Sequence, residues 1–396
     1  MPTDSSFAPL AGVHVVDLTS SLAGPTCTQI LAALGADVVK VEHPGRGDEA
    51  RAWGPSFFEG GSVMFFAANA SKRSLGLDIK EPRGREILLR LVDRADVFVQ
   101  SLRPGTAPRL GFGADELRAR NGGLVYCSIG AFGNRGPLAG KPGYDPLMQA
   151  FTGIVSLTGE PDRPGVRVGT SLIDIGTGVW AALGVVAALL ERAGTGRGRE
   201  VDVSLFETGL SLVGYQLTDA LRTRRAPARY GTAFPLIAPY EVFATADGEL
   251  MIAAANDRLF EQLCERLGLP ELAGDPRFRT NPDRLANRAA LLPPLRTRLA
   301  ERPTAHWVEQ LDGIPVAPVQ DVVEAAEHEQ TRATGILQAL GAIDTLALPL
   351  EVDDRRVGHR AAPPTLGLHS REVLRELGYT DAEIDGLAAS GITRLA

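Results

Sequence analysis

Lysine is nearly absent. Lys40, Lys72, Lys80 and Lys141 are the only four in 396 residues, so almost all of the 41 basic residues are arginine. All four lie within the first 141 residues, which makes that half the place for an anionic ligand. The net charge of −7 argues against a sequence-independent nucleic-acid surface. Cysteine is scarce as well. Cys27, Cys127 and Cys264 are scattered with no CxxC, which excludes a disulfide framework and a zinc site and points to a reducing compartment. Each reads as a small core residue rather than a catalytic thiol. The six histidines show no H-x-x-x-H spacing, so no metal is expected. Met1–Leu10 has neither the basic stretch nor the apolar run of a leader, and no uninterrupted 18-residue apolar run occurs. The expectation is a cytoplasmic protein with no membrane or nucleic-acid partner.

What is present suits a soluble chain of two domains, at 44% hydrophobic and 22% charged residues. Val13–Leu18 reads as a strand, Thr19–Pro25 as a turn, Thr26–Leu34 as a helix and Asp37–Val41 as a second strand. That is a βαβ unit, with parallel pairing and a right-handed crossover. The loop after its first strand lies where ligands bind in open α/β folds. It lacks G-x-G-x-x-G, which disfavours dinucleotide binding. Further strands are expected at Leu75–Asp78, Ala95–Gln100, Leu124–Ile129 and Val201–Phe206, and helices at Val63–Ala68 and Pro82–Asp93. The fold class is therefore α/β, a large Rossmann-like domain with a smaller α+β domain. The large domain begins in residues 1–205, with a linker helix over 206–224. The small domain spans 225–330, carrying a D-G hairpin at Asp247-Gly248 and helices at Asp257–Leu267 and Pro294–Ala300. Residues 331–396 return to the large domain through Val357–Pro364 and short helices at Val373–Leu377 and Asp381–Ser390.

Val166–Arg192 holds the one acidic residue set among apolar neighbours before a long apolar helix. Asp174 precedes Gly176 and Gly178, and the helix is expected from about Val179. A lone buried carboxylate is costly, so Asp174 needs a reason. It is a cap-region residue, a satisfied core carboxylate, or a nucleophile or base held at a helix entrance where the macrodipole keeps it ionised.

Several blocks together resemble the family III CoA-transferases, the CaiB/BaiF type that includes formyl-CoA transferase, carnitine CoA-transferase and α-methylacyl-CoA racemase. They are Pro9–Val13 with Asp17-Leu18-Thr19, Leu22–Pro25, Leu34–Glu42, Asn69–Ser74, Gly143-Tyr144-Asp145, Gly194–Gly198 and Leu374–Tyr379. Their order covers residues 9 to 390, nearly the whole chain. The resemblance implies an interlocked homodimer. It implies an enzyme that moves CoA from an acyl-CoA, with succinyl-CoA as the suggested donor, to a small carboxylic acid. It implies no permanently bound cofactor, coenzyme A entering as the acyl-CoA substrate.

It also implies that Asp174 is the nucleophile, passing through a mixed anhydride and an aspartyl-CoA thioester, with Gly176 and Gly178 leaving room for the thioester. The CoA contacts carry over onto Ser21 and Leu22, His43, Leu77 to Lys80, Ser101, Leu102 and Arg103, Arg109, and Lys141 to Tyr144. Arg51 and Arg135 are offered as holders of a distal carboxylate. The alternative is an acyl-CoA racemase or epimerase. Racemases of this family carry histidine in the Gly-His-Asp block, where this chain has Tyr144. A phenol with an ordinary pKa near 10 makes a poor base near neutrality. The small domain also lacks the glycine run of formyl-CoA transferases, which sets a formyl/oxalyl pair behind dicarboxylic or branched acids.

Overall fold

Apolar residues on both faces of the first strand call for cover on both sides, and the structure supplies it. The computed structural model describes residues 7–58, 60–341 and 343–396. Met1–Ser6, on which part of the leader reading falls, lie outside the described residues. The chain forms two units. The first takes in Met1–Ile154, Val168–Thr223 and Gln330–Ala396, and the second Val155–Arg167 and Arg224–Glu329.

In the first unit, β1 (His14–Leu18), α1 (Ala23–Ala33) and β2 (Asp37–Glu42) make the βαβ start, with β1 and β2 parallel. Next come β3 (Lys72–Leu77), α2 (Pro82–Val92), β4 (Val97–Gln100), β5 (Val125–Gly130) and α3 (Asp145–Phe151). The long helix α4 spans Leu172–Thr195, followed by β6 (Glu200–Ser204), α5 (Leu205–Leu212) and α6 (Gly214–Thr223). The stretch 205–223 is thus two helices, and Leu205 opens the first of them instead of extending the strand. The Ser204 hydroxyl accepts from the Glu207 N–H and stops the strand there.

The second unit holds β7 (Tyr240–Ala244) and β8 (Glu249–Ala253), an antiparallel hairpin, then α7 (Asp257–Leu267), α8 (Arg288–Leu299) and β9 (Val316–Pro318). Helix α8 starts six residues before the predicted Pro294 and carries Pro293 and Pro294 inside it. Burial of Leu291, Leu292, Leu295 and Leu299 outweighs the lost backbone bonds. Arg229 closes the segment Val155–Arg167 onto this unit by donating to the carbonyls of Glu160 and Arg163.

The return segment adds α9 (Ser370–Glu376), α10 (Asp381–Ala389) and β10 (Thr393–Arg394) to the first unit. Residues 357–364 return there as well, as irregular chain throughout, where their pattern suggests a strand and loop. The Ser71 N–H donates to the Ala361 carbonyl, and Arg360 donates to the carbonyls of Ala32, Gly35 and Ala36 at the end of α1. The sheet order is β10-β3-β2-β1-β4-β5-β6, parallel except for β10. The chain runs outward through β2 and β3, then resumes on the other side of β1 at β4. The β1–β4 gap is therefore the topological switch point. One face of the sheet packs Val16, Val39, Leu75, Phe98 and Tyr126 against Leu88, Val373 and Leu387.

Helix α4 differs most from expectation. It begins at Leu172, so Gly176 and Gly178 lie inside it and form no turn. A Cβ on Gly178 would sit 2.7 Å from the Ala23 carbonyl oxygen, and one on Gly176 3.1 Å from Thr208 Cγ2. Their missing side chains let α1 and α5 approach, so they are packing positions and not space for a thioester. The helix is 24 residues long and holds an 18-residue stretch of mean hydropathy 1.9, enough by length and composition to cross a membrane. In this structure 44% of that stretch is buried. Gly and Thr residues interrupt the run, which is why a search for unbroken apolar sequence passes over it.

Candidate active site

Helix α4 has no local cap. Ser171 occupies the N-cap position and its side chain makes no capping bond. Asp145, at the start of α3 and fully buried, takes over that role. Its Oδ2 accepts from the Ile173 N–H at 2.8 Å and the Asp174 N–H at 3.2 Å. Its Oδ1 accepts from Gln149 Nε2 at 2.5 Å, and Gln149 Oε1 in turn accepts from the Val168 N–H. One buried carboxylate thus satisfies two of the helix's unpaired N–H groups from a distant segment. Thr177 adds a bond to Thr208 of α5 at 2.9 Å.

Asp174 itself is half-buried in the first turn. Burial, and then the negative charge of Asp145, push its carboxyl up from the ordinary 3.8 to about 7. The expectation that the macrodipole keeps Asp174 ionised is corrected here: desolvation and a like charge raise its proton affinity, so it titrates near neutrality.

The switch point gathers part of the predicted ligand set. The Ser20 N–H donates to Ser101 Oγ at 3.1 Å, joining the loop after β1 to the loop after β4. Ser21 lies in the left-handed region at φ +73°, and Leu22 is buried where α1 begins. Leu102 and Arg103 line a cleft of about 220 Å³ at the carboxyl ends of β4 and β5, together with Gln100, Ser128, Gly133 and Asn134. The Arg103 charge also reaches Glu49, and the nearby Tyr144 side chain favours the ionised form of that carboxyl. Tyr144 is exposed and meets the Trp53 ring edge-on at 6.4 Å between centroids.

The other predicted residues differ in their settings. The side chain of Leu77 is core, 1% exposed, so it offers no side-chain contact to a ligand. His43 turns its Nδ1 back onto the N–H groups of Gly45 and Arg46. Lys80, Arg109 and Lys141 are exposed. Arg51 is not a carboxylate holder. It forms a two-pronged pair with Glu42, donates to the carbonyls of Gly60 and Pro364, and stacks on Phe65. Its donors are consumed inside the protein. Lys40 and Lys72 are likewise buried in ion pairs with Asp48 and Asp17, leaving Lys80 and Lys141 as the solvent-facing lysines. Sequence reasoning missed Asp145 as the cap and Glu49 as a partner of Tyr144. The one available signal was the carboxylate following Gly143-Tyr144. Among the described residues, no group of three or more His, Cys, Asp or Glu side chains is placed to hold a metal.

Comparison with known proteins gives a consistent picture. The model for CoA-transferase family III matches residues 10–370. An acetyl-CoA:oxalate CoA-transferase of Acetobacter aceti is 40% identical, the match covering 95% of this chain and 97% of that one. A succinyl-CoA:glutarate CoA-transferase of Mus musculus is 36% identical, covering 98% and 91%. Among solved structures, a CaiB/BaiF family protein from Brucella suis superposes with a TM-score of 0.86 at 37% identity, covering 94% of this chain and all of that one.

Proposed function

The chain belongs to CoA-transferase family III, and from that membership and the setting of Asp174 we propose that it moves CoA between carboxylic acids through covalent intermediates on Asp174. The carboxylate attacks the thioester carbonyl of the donor acyl-CoA. An acyl–aspartyl anhydride forms and CoA thiolate leaves. The thiolate attacks the aspartyl carbonyl, giving an aspartyl-CoA thioester and releasing the donor acid. The acceptor carboxylate attacks that thioester, forming a second anhydride and freeing the thiolate again. Thiolate attack on the acceptor carbonyl then yields the new acyl-CoA and restores Asp174. Every intermediate keeps an activated acyl bond, so the donor's thioester energy is carried through.

The observation that carries this reading is the half-buried Asp174, fixed by Asp145 at the start of α4 and titrating near pH 7. A carboxylate of raised pKa is a stronger nucleophile yet still substantially ionised at neutral pH. Incubation with succinyl-CoA or acetyl-CoA is expected to add the mass of a CoA ester to the peptide containing Asp174, and hydroxylamine to remove it. An unmodified peptide in an enzyme that turns over would refute the covalent route.

The donor is proposed to be succinyl-CoA or acetyl-CoA and the acceptor a small dicarboxylic acid, as the names of the two relatives suggest. The missing glycine run had set oxalate aside. A relative 40% identical is named for oxalate, so oxalate returns to the acceptor panel beside glutarate.

A homodimer with interlocked chains is part of the same proposal. Ile175, Val179, Trp180, Leu183 and Leu190 on α4 are 44–77% exposed, and α6 buries none of its residues. An apolar face of this kind marks an interaction surface. Light scattering is expected to give twice the 42.0 kDa chain mass. Trp180→Asp with Leu183→Asp is expected to give inactive monomer or insoluble protein. An active wild-type monomer would refute the dimer.

A further inference from the structure

The loop after β1 owes its shape to side chains. Thr19, Ser20 and Ser21 send their N–H groups to Asp17 Oδ1 (2.9 Å), Ser101 Oγ (3.1 Å) and Asp48 Oδ1 (3.0 Å). The Thr19 carbonyl accepts from Lys40 Nζ at 3.0 Å. Ser21 is held at φ +73°, a strained conformation that a non-glycine residue keeps only when its surroundings impose it.

Two of these groups form an ion pair of unusual placement. Lys40 Nζ lies 2.8 Å from Asp48 Oδ2, and both side chains are fully buried. Burial works against the Lys40 charge, but the carboxylates of Asp48, Asp17 and Glu42 hold its ammonium above the ordinary range. A buried pair of this kind is seldom worth more to stability than two well-packed apolar residues. Its return here is geometric. Asp48 Oδ1 accepts from the Ser21 N–H and also from the Ala50 N–H, capping the short turn Glu49–Ala52. That turn carries Glu49 to Tyr144. A single oxygen atom therefore sets the position of the loop after β1 against the Glu49–Ala52 turn, which lies beside Tyr144.

We propose that Lys40 and Asp48 are positioning residues for CoA binding: the pair holds the loop Thr19–Leu22 in its CoA-accepting shape and keeps it in register with the Glu49–Tyr144 contact. This rests on the reading of that loop as a CoA contact. The pair touches no substrate and acts through the backbone of Thr19 and Ser21.

The test uses the full-length enzyme and free CoA, with calorimetric Kd, steady-state KM for acyl-CoA, kcat and melting temperature. The paired replacement Lys40→Met with Asp48→Leu leaves no lone buried charge, so it is expected to fold, at a lower melting temperature because the Thr19 carbonyl and the Ser21 and Ala50 N–H groups lose their partners. Its CoA Kd and acyl-CoA KM are expected to rise about tenfold or more, a loss of about 1.4 kcal/mol or more, with kcat changed less. Asp48→Asn keeps the acceptor for Ser21 and is expected to restore most of the binding. Thr28→Val is the comparator. It removes a buried hydroxyl that bonds Asp17 and the Gly24 and Pro25 carbonyls of the first turn of α1, without a bond to the backbone of Thr19–Leu22, so it is expected to lower the melting temperature and leave KM alone. Wild-type CoA binding in the paired replacement would overturn the proposal. So would an equal loss in Thr28→Val at matched stability. If the paired replacement does not fold, Lys40→Met with Asp48→Asn is measured in its place; it keeps an acceptor for the Ser21 N–H and removes the bond to the Thr19 carbonyl, so a smaller rise in CoA Kd is expected and a wild-type Kd would overturn the proposal. Wild-type protein that turns over but binds no free CoA would instead remove the reading of the loop on which the proposal rests.

Discussion

Asp174→Ala is expected to lower CoA transfer about ten-thousandfold or more, because it removes the atom on which every covalent intermediate is built. Binding of CoA is expected to persist, since the cleft and the loops around the β1–β4 gap do not depend on that side chain. The same position predicts a stability effect of opposite sign. Asp174 has a folded-state pKa of about 7 against an ordinary 3.8. Between those values the folded protein holds a proton that the unfolded chain has released, so stability from this group declines as pH rises from about 4 to 7 and stays low above. At about 1.4 kcal/mol per pKa unit the full cost is roughly 4 kcal/mol. Asp174→Asn carries no charge to desolvate. It is expected to melt at a higher temperature than wild type at pH 8, with the difference closing towards pH 4. An Asn variant less stable than wild type at pH 8 would refute the raised pKa, and retained turnover in the Ala variant would refute the nucleophile.

Asp145 carries the second large expectation, and two substitutions separate its two effects. Asp145→Ala leaves the N–H groups of Ile173 and Asp174 without their acceptor and costs about 0.5–2 kcal/mol of helix start. A displaced first turn moves the nucleophile, for which a loss of about a hundredfold in kcat is the expected scale. Asp145→Asn keeps an acceptor for both N–H groups but deletes the charge that helps raise the Asp174 pKa. The acid limb of kcat/KM is expected near pH 7 in wild type and at lower pH in Asp145→Asn. Its amide NH2 then faces Gln149, so a modest drop in melting temperature accompanies the shift. An unmoved limb would mean that burial alone sets the Asp174 proton affinity.

Much of the first unit was readable from local pattern. The βαβ start and the strands at 97–100 and 125–130 follow from short β-branched runs bounded by turns, and α7 follows from its amphipathic period. Asp174 was legible as an anomaly, a carboxylate among apolar residues. The start of its helix was not. Glycine has poor helix propensity, so Gly176 and Gly178 read as a turn, whereas the close approach of α1 and α5 is what requires them. Asp145 as a cap was hidden for a related reason. Its partners lie 28 and 29 residues away, beyond any local capping signature. Arg51 failed as a ligand group because Pro364, 313 residues on, takes one of its donors. Identity and charge are local properties. Which donors are already spent is a property of the folded chain.

The last strand bears on biosynthesis. β3 is covered on one side by β2 and on the other by β10, whose Thr393 and Arg394 pair with Leu77 and Gly76, and by His369 and Ser370, which bond the backbone of Ser74 and Gly76. Arg360, which closes the end of α1, also follows that helix by more than 320 residues. A ribosome finishes β3 with more than 310 residues still to be added, roughly 15–60 s of synthesis at ordinary speeds. Throughout that interval the nascent sheet shows an open edge next to Leu75 and Leu77, the kind of template that recruits other strands. Emergence of the segment that carries β10, not of the N-terminal half, is the moment at which this sheet can close, and a holding chaperone has its work before that moment.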